Sequence, residues 1–172
     1  MIGDIIIKGH PILEERLKEI KSIDANIIEK AEIMIDIMLS RTAAGVAANQ
    51  VGYSERMFVF QIVGDRAGAI EIKPTIVINP KIEYMSEEQE IDWEGCLSLP
   101  NLIGKVKRSK HIKYSYLDTS GVKKIEEAEG FYARVIQHEV NHLNGLIYLD
   151  TMNSFREFCY RSEIEKHKQY YI

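Results

Sequence analysis

The chain is 172 residues long, 45% hydrophobic and 28% charged, a composition that suits one globular domain with a substantial buried core. Its net charge of -4 gives no general electrostatic reason to expect nucleic-acid readout, and no apolar run approaches the roughly 18 residues needed to span a membrane. Met1-Ile2-Gly3-Asp4-Ile5-Ile6-Ile7-Lys8 lacks the basic start and long apolar run of a signal peptide. Cys96 and Cys159 alone make no disulfide framework, so a cytoplasmic location is expected, where reducing conditions keep a thiolate available.

In chain order, Asp24 is placed to cap a helix running to about Ser40. Its apolar stripe is Ile27, Ile28, Ala31, Met34, Ile35, Met38 and Leu39. Strand-like runs follow at Met57 to Val63, Ala69 to Lys73 and Thr75 to Tyr84, with Pro80 marking a break or an edge. Glu87-Glu88-Gln89-Glu90 reads as a solvated loop. Ile112 to Leu117 alternate and turn through Asp118-Thr119-Ser120-Gly121 into Val122 to Glu127, a hairpin. Gly130 precedes a helix expected to reach about Asn144 and to stop at Gly145. A last helix is expected from Ser154 to Lys168, with Arg156, Arg161, Lys166 and Lys168 on a solvated face. No repeat or linker interrupts the chain, so residues 1–172 read as a single domain. Strands gathered between two long helices, without βα alternation, argue for an α+β fold.

The chemistry concentrates in His138-Glu139-Val140-Asn141-His142. Two histidines four residues apart share one face of a helix and can reach one metal ion, while Glu139 can take a proton from water beside it. Phe131 and Val135 fall on the same side, so the pair sits on a largely apolar face. A catalytic site of this kind needs a third ligand and an open position. Gly145 is followed by Tyr148 and not by a third histidine, which excludes the metzincin pattern. Glu163 lies at a thermolysin-like distance but without supporting context. Cys96 in Glu94-Gly95-Cys96-Leu97-Ser98 is a better donor, since a thiolate with two imidazoles leaves a tetrahedral site open. Cys159 could close that site as a structural fourth ligand, yet Phe155, Phe158 and Cys159 at helical spacing read more simply as packing. Gly45-Val46-Ala47-Ala48-Asn49-Gln50 adds small residues for close backbone approach and an amide that could donate to an oxyanion.

These three segments, in this order and at these separations, resemble those of peptide deformylase. The likeness extends to His10-Pro11-Ile12-Leu13, Ile78-Asn79-Pro80, and the run through Val106, Arg108, Ile112, Asp118 and Gly121 to Gly130-Phe131-Tyr132-Ala133-Arg134. The resemblance implies antiparallel sheets packed around the motif-bearing helix, with one helix in the N-terminal half and one at the C-terminus. It also implies removal of the N-formyl group from formyl-methionyl nascent peptides. Cys96, His138 and His142 would hold the metal, Glu139 would move the proton, and the Gln50 amide with the Leu97 N–H would steady the oxyanion. The peptide would pair with the backbone at Gly45 and Gly95, its methionine entering a pocket lined by Ala44, Phe131 and Val135. Fe(II) is the expected ion, with Zn, Ni or Co accepted in purified protein, and a ribosome contact is a further implied partner. Rival readings are a metallopeptidase and a metal-binding relative without activity. Three positions depart from the pattern: Ala43 where Gly is usual, Asn141 where Asp is common, and Glu14 where Arg is usual. If position 43 needs positive φ, Ala43 is strained there.

Overall fold

Asp24 caps the first helix as its composition suggests, its Oδ1 accepting the Ile27 N–H at 3.0 Å. This helix, α1 (Ala25–Ser40), buries a narrower stripe than expected: Ile27, Ala31, Met34, Ile37 and Met38. Leu39 points outward at 48% exposure, and Ile37 occupies the core in its place. Four-residue steps from Ile27 to Ala31 and from Met34 to Met38 keep the stripe on one side of the cylinder. The computed structural model describes residues 4–64 and 70–167. Met1, Ile2 and Gly3, the Ala69 end of an expected strand, and Lys168 at the end of the expected last helix lie outside the described residues.

Among the described residues eight strands follow the order β1 (Gly45–Ala47), β2 (Met57–Ile62), β3 (Ile72–Met85), β4 (Gln89–Cys96), β5 (Leu99–Ser109), β6 (His111–Leu117), β7 (Lys123–Glu129) and β8 (Phe158–Tyr160). A five-stranded antiparallel sheet runs β1-β2-β3-β6-β7, and a three-stranded one runs β4-β5-β8. The motif helix α2 (Gly130–Leu143) packs against strands of both sheets, and a short helix, α3 (Arg161–Lys166), ends the described chain. The fold is thus α+β, with antiparallel sheets around the motif helix.

The two runs expected on either side of Lys73 and Thr75 form one long strand, β3. Its irregularity falls where Pro80 placed it: the register with β6 shifts between Ile78 and Lys81, and Asn79 takes φ 50. The Asn79 side chain closes the bulge, exchanging hydrogen bonds with the main chain of Ile20 at 2.9 and 2.8 Å. Gln89 and Glu90, expected in a loop, open β4 as exposed strand residues; Glu88 remains in the turn, paired with Lys110. The Asp118 turn forms as read, its Oδ1 accepting the N–H groups of Ser120 and Val122.

The C-terminal helix differs most. In place of one helix from Ser154, the chain makes a 3-10 turn at Phe155–Glu157, then β8, then α3. The edge of β5 captures Phe158–Tyr160 by main-chain pairing, with Ile103 opposite Cys159, and this pairing overrides the helical spacing of the aromatics.

Gly145 ends the motif helix region with φ 76, and a Cβ there would lie 2.4 Å from the Glu14 carbonyl oxygen. This close approach ties the segment after α2 to the turn at Pro11–Glu14. Gly145→Ala adds left-handed strain and a backbone clash, so it should lower unfolding free energy by about 2–4 kcal/mol. An unchanged denaturant midpoint would show that the turn yields freely.

Candidate metal centre

The two histidines of α2 meet edge to face, ring centroids 5.0 Å apart and planes at 65°, on the one helix face that four-residue spacing gives them. Cys96, at the end of β4, approaches them from the second sheet, its Sγ 3.2 Å from His142 Nε2. One donor atom from each of Cys96, His138 and His142 lies within 4.8 Å of the others. Glu163 and Cys159 do not join them. Glu163 is paired with Lys166 on α3, and Cys159 sits in β8, its thiol pushed up by burial.

The orientation of His138 is set by Glu94, whose role is not visible in the sequence motif alone. Glu94, two residues before Cys96, accepts from or faces His138 Nδ1 at 2.9 Å through Oε2. The same buried carboxylate receives Arg108 Nε and Nη2, each at 2.9 Å, and Arg134 Nη1 at 2.9 Å. Burial alone would raise its pKa, but hydrogen bonds from Arg108 and His138 hold it well below the usual carboxylate range. A proton on Nδ1 facing Glu94 leaves Nε2 free to act as a ligand, the tautomer a metal requires. Arg108 and Arg134 thus support the site through the Glu94 carboxylate.

Gln50 lies on the 3-10 turn Ala48–Val51 that follows β1. The Ala47 N–H donates to its Oε1 at 2.9 Å, which turns the amide NH2 toward Cys96 Sγ at 3.3 Å and Ser98 Oγ at 3.2 Å. Asn49 beside it donates to the His142 carbonyl at 2.8 Å and so fastens this turn to α2. Gly45 has a steric reason. A Cβ there would sit 2.4 Å from Glu139 Oε1, so only glycine lets β1 pass over the carboxylate.

Glu139 is buried, and burial pushes its pKa up to about 7 against the opposing pull of His138 and His142. Its Oε2 has no hydrogen-bond partner among the described residues, although it lines the cavity. For Cys96, burial opposes ionisation, but His142 and His138 outweigh it and hold the thiol well below its ordinary value. A thiolate, two imidazoles of which His138 has its tautomer fixed by Glu94, and a buried proton acceptor suit a divalent ion of borderline softness.

A cavity of about 810 Å³ opens onto this cluster. Ala44, Gly45, Gly95, Leu97, Phe131 and Val135, all expected around the substrate, line it together with Gln50, Cys96, His138 and Glu139. His142 lies behind that lining, fully buried. The departures from the expected pattern prove local. Positive φ falls on Thr42 at 52° and not on Ala43, so the strain expected at Ala43 is absent. Glu14 makes its own ion pair with Lys8 at 2.8 Å. The Asn141 amide nitrogen is buried without a hydrogen-bond partner among the described residues.

Water activated beside a thiolate-bound cation, with a carboxylate at hand for its proton, is the chemistry of a metal-dependent hydrolase acting on amides. The polypeptide deformylase family model matches residues 2–158. A peptide deformylase of Thermotoga maritima is 38% identical over 160 residues, covering 93% of each chain. The crystal structure of Thermotoga maritima peptide deformylase superposes with a TM-score of 0.82 at 39% identity, over 90% of this chain and 99% of that one. A Met-Ala-Ser-bound class I type b peptide deformylase from Acinetobacter baumannii gives 0.83 at 30% identity, over 88% and 99%. The chain belongs to the peptide deformylase family, and its activity is removal of the N-formyl group from nascent peptides.

Glu94→Gln should weaken metal binding about 10-fold to 100-fold, because an amide no longer holds the Nδ1 proton while two guanidinium groups lose their anion. Titration with a divalent ion against a competing chelator measures this. Affinity equal to that of the unaltered chain would remove Glu94 from the site.

Proposed function

We propose that residues 1–172 act as one catalytic domain in which Cys96, His138 and His142 hold an Fe(II) ion. In purified protein Zn, Ni or Co can take its place. The observation that carries this reading is the convergence of the three donors beside the buried, unpartnered oxygen of Glu139. When bound, the ion supplies a positive charge that lowers the pKa of water and draws electron density from the formyl carbonyl.

The chain's own groups do the rest. Glu139, held near neutrality by burial, accepts the proton of the attacking water and returns it to the departing amine nitrogen. The amide NH2 of Gln50, aimed by Ala47, and the main-chain N–H of Leu97 donate to the oxyanion of the tetrahedral intermediate. The C–N bond then breaks to give formate and a free amino terminus. The peptide lies extended, its backbone bonding to the strands that carry Gly45 and Gly95. Its methionine side chain enters the apolar part of the cavity beside Ala44, Phe131 and Val135. The tripeptide Met-Ala-Ser named with the Acinetobacter baumannii structure supports a product of this kind in the equivalent cleft. A substrate made of formyl-methionyl nascent chains supports action in the cytoplasm and a contact with the ribosome. No helix among the described residues is long and apolar enough to cross a membrane.

Glu139→Ala should keep a full complement of metal and lose turnover by at least about a hundredfold, the scale of a lost general base. His138→Ala should lose both metal and activity. Metal analysis beside formate release from formyl-Met-Ala-Ser, with protein prepared anaerobically in iron, checks both. A metal-replete His138→Ala protein would refute the ligand set. Formate release equal to wild type in Glu139→Ala would refute the proton route.

A further inference from the structure

The floor of the cavity carries the reaction, but its rim carries charge of one dominant sign. Arg41 follows α1 directly, four residues before Gly45, and Arg161 opens α3; both are exposed and both line the cavity. Among the described residues neither guanidinium makes an ion pair or a side-chain hydrogen bond. Arg161 was expected on a solvated face, yet its guanidinium lies over β4. A Cβ added at Gly95 would come within 2.9 Å of Arg161 Nη2. The acids lining the same cavity are Asp4, Glu94 and Glu139. Glu94 is neutralised by Arg108 and Arg134, and Glu139 is buried at the floor, so among the described lining residues Asp4 is the one acid left to oppose the two arginines at the rim.

Arg41 therefore stands beside the strand of Gly45, and Arg161 over the strand of Gly95. If the substrate backbone runs between these strands, as proposed above, it passes a cation on each side. Successive side chains of an extended peptide point to opposite faces. The residues after formyl-methionine thus alternate toward the two rims while methionine fills the pocket. We propose that Arg41 and Arg161 are specificity residues that favour formyl-methionyl peptides with Asp or Glu at the second or third position. This inference rests on the deformylation reading for its substrate and on rim geometry for its preference. Planar guanidinium groups suit bidentate recognition of a carboxylate, and neither has a competing partner among the described residues.

The test compares formyl-Met-Ala-Ser, formyl-Met-Glu-Ser, formyl-Met-Ala-Glu and formyl-Met-Lys-Ser with the iron-loaded enzyme, reading formate release. Binding of the matching deformylated peptides is read separately from the fluorescence of Trp93, the one tryptophan of the chain, which lines the cavity. At low ionic strength at least one glutamate peptide should surpass the alanine peptide in kcat/KM through a lower KM. The gain should be about twofold to fivefold for each cation engaged, the scale of exposed ion pairs. The lysine peptide should fall below the alanine peptide. Salt at about 1 M, where the Debye length is about 3 Å, should flatten these differences. Arg41→Gln with Arg161→Gln should bring the glutamate-to-alanine ratio toward one, and Arg41→Lys with Arg161→Lys should restore part of it. Each ratio is taken within one variant, so a general loss of activity cancels. Equal or poorer use of both glutamate peptides by wild type, or a preference that survives the double glutamine change, overturns the proposal. An acid preference in Trp93 binding without formate from any peptide supports the rim assignment and overturns the deformylation reading instead.

Discussion

The architecture turns on one buried carboxylate. Glu94 joins side chains from three elements at one point: its own strand β4, Arg108 of the neighbouring strand β5, and Arg134 with His138 of α2. Each of the four side chains is nearly removed from water, with exposures of 4% for Glu94, 6% for Arg108, 4% for Arg134 and 12% for His138. Burying charge at this depth is unfavourable unless every lone pair and proton is matched. Here the matching is nearly complete. Arg134 Nη1 also donates to the Val106 carbonyl and Nη2 to that of Glu90, at 2.8 and 2.9 Å. The result is geometric more than energetic: the smaller sheet cannot slide against the motif helix without breaking several charge-assisted bonds together. Cys96, two residues beyond Glu94, is therefore delivered to the histidines by the same contact that fixes the His138 tautomer.

This coupling explains why parts of the molecule were legible in the sequence and others were not. Elements written in local code were clear: the Asp24 cap and four-residue stripe of α1, the Asp118 to Gly121 turn, and the histidine spacing of α2. The meeting of Cys96, His138 and His142 was also legible, because soft donor groups in a motif have few alternative uses. What stayed hidden was written in long-range pairing. Phe155, Phe158 and Cys159 satisfy a helical spacing, but three residues beside a free edge of β5 gain more by pairing than by starting a helix. Glu94, Arg108 and Arg134 are separated along the chain, and none is unusual by itself. Whether position 43 needs positive φ was also not legible locally: the backbone reaches its left-handed turn one residue earlier, at Thr42.

Around the donors, the protein uses smallness where it uses charge elsewhere. Gly45 admits the Glu139 carboxylate beneath β1, and the Ala47 N–H from the same strand orients Gln50. Strand β1 therefore sets two functional groups while offering its own backbone to the cavity. The N-terminal segment reinforces this from outside. The Ile6 N–H bonds to the Gln50 carbonyl at 2.8 Å and the Lys8 N–H to that of Ser98 at 2.9 Å, which ties the Gln50 turn to the β4–β5 corner. A site that must hold reacting atoms to within fractions of an ångström is here built from sheet, turn and helix, with loops confined to its rim.

That division has a consequence for how the enzyme can vary. Inside, a change at Glu94 or Gly45 acts on several partners together, so substitutions there are strongly coupled. At the rim, Arg41 and Arg161 contact no other charged group among the described residues, and exposed positions of this kind usually alter stability by less than about 0.5 kcal/mol. Charge at the cavity edge can therefore change without disturbing the donors, because Debye screening and distance keep its field from reordering a buried network already saturated with hydrogen bonds. The reaction is thus fixed by the interior, while the choice among peptides is left to side chains that the fold does not need.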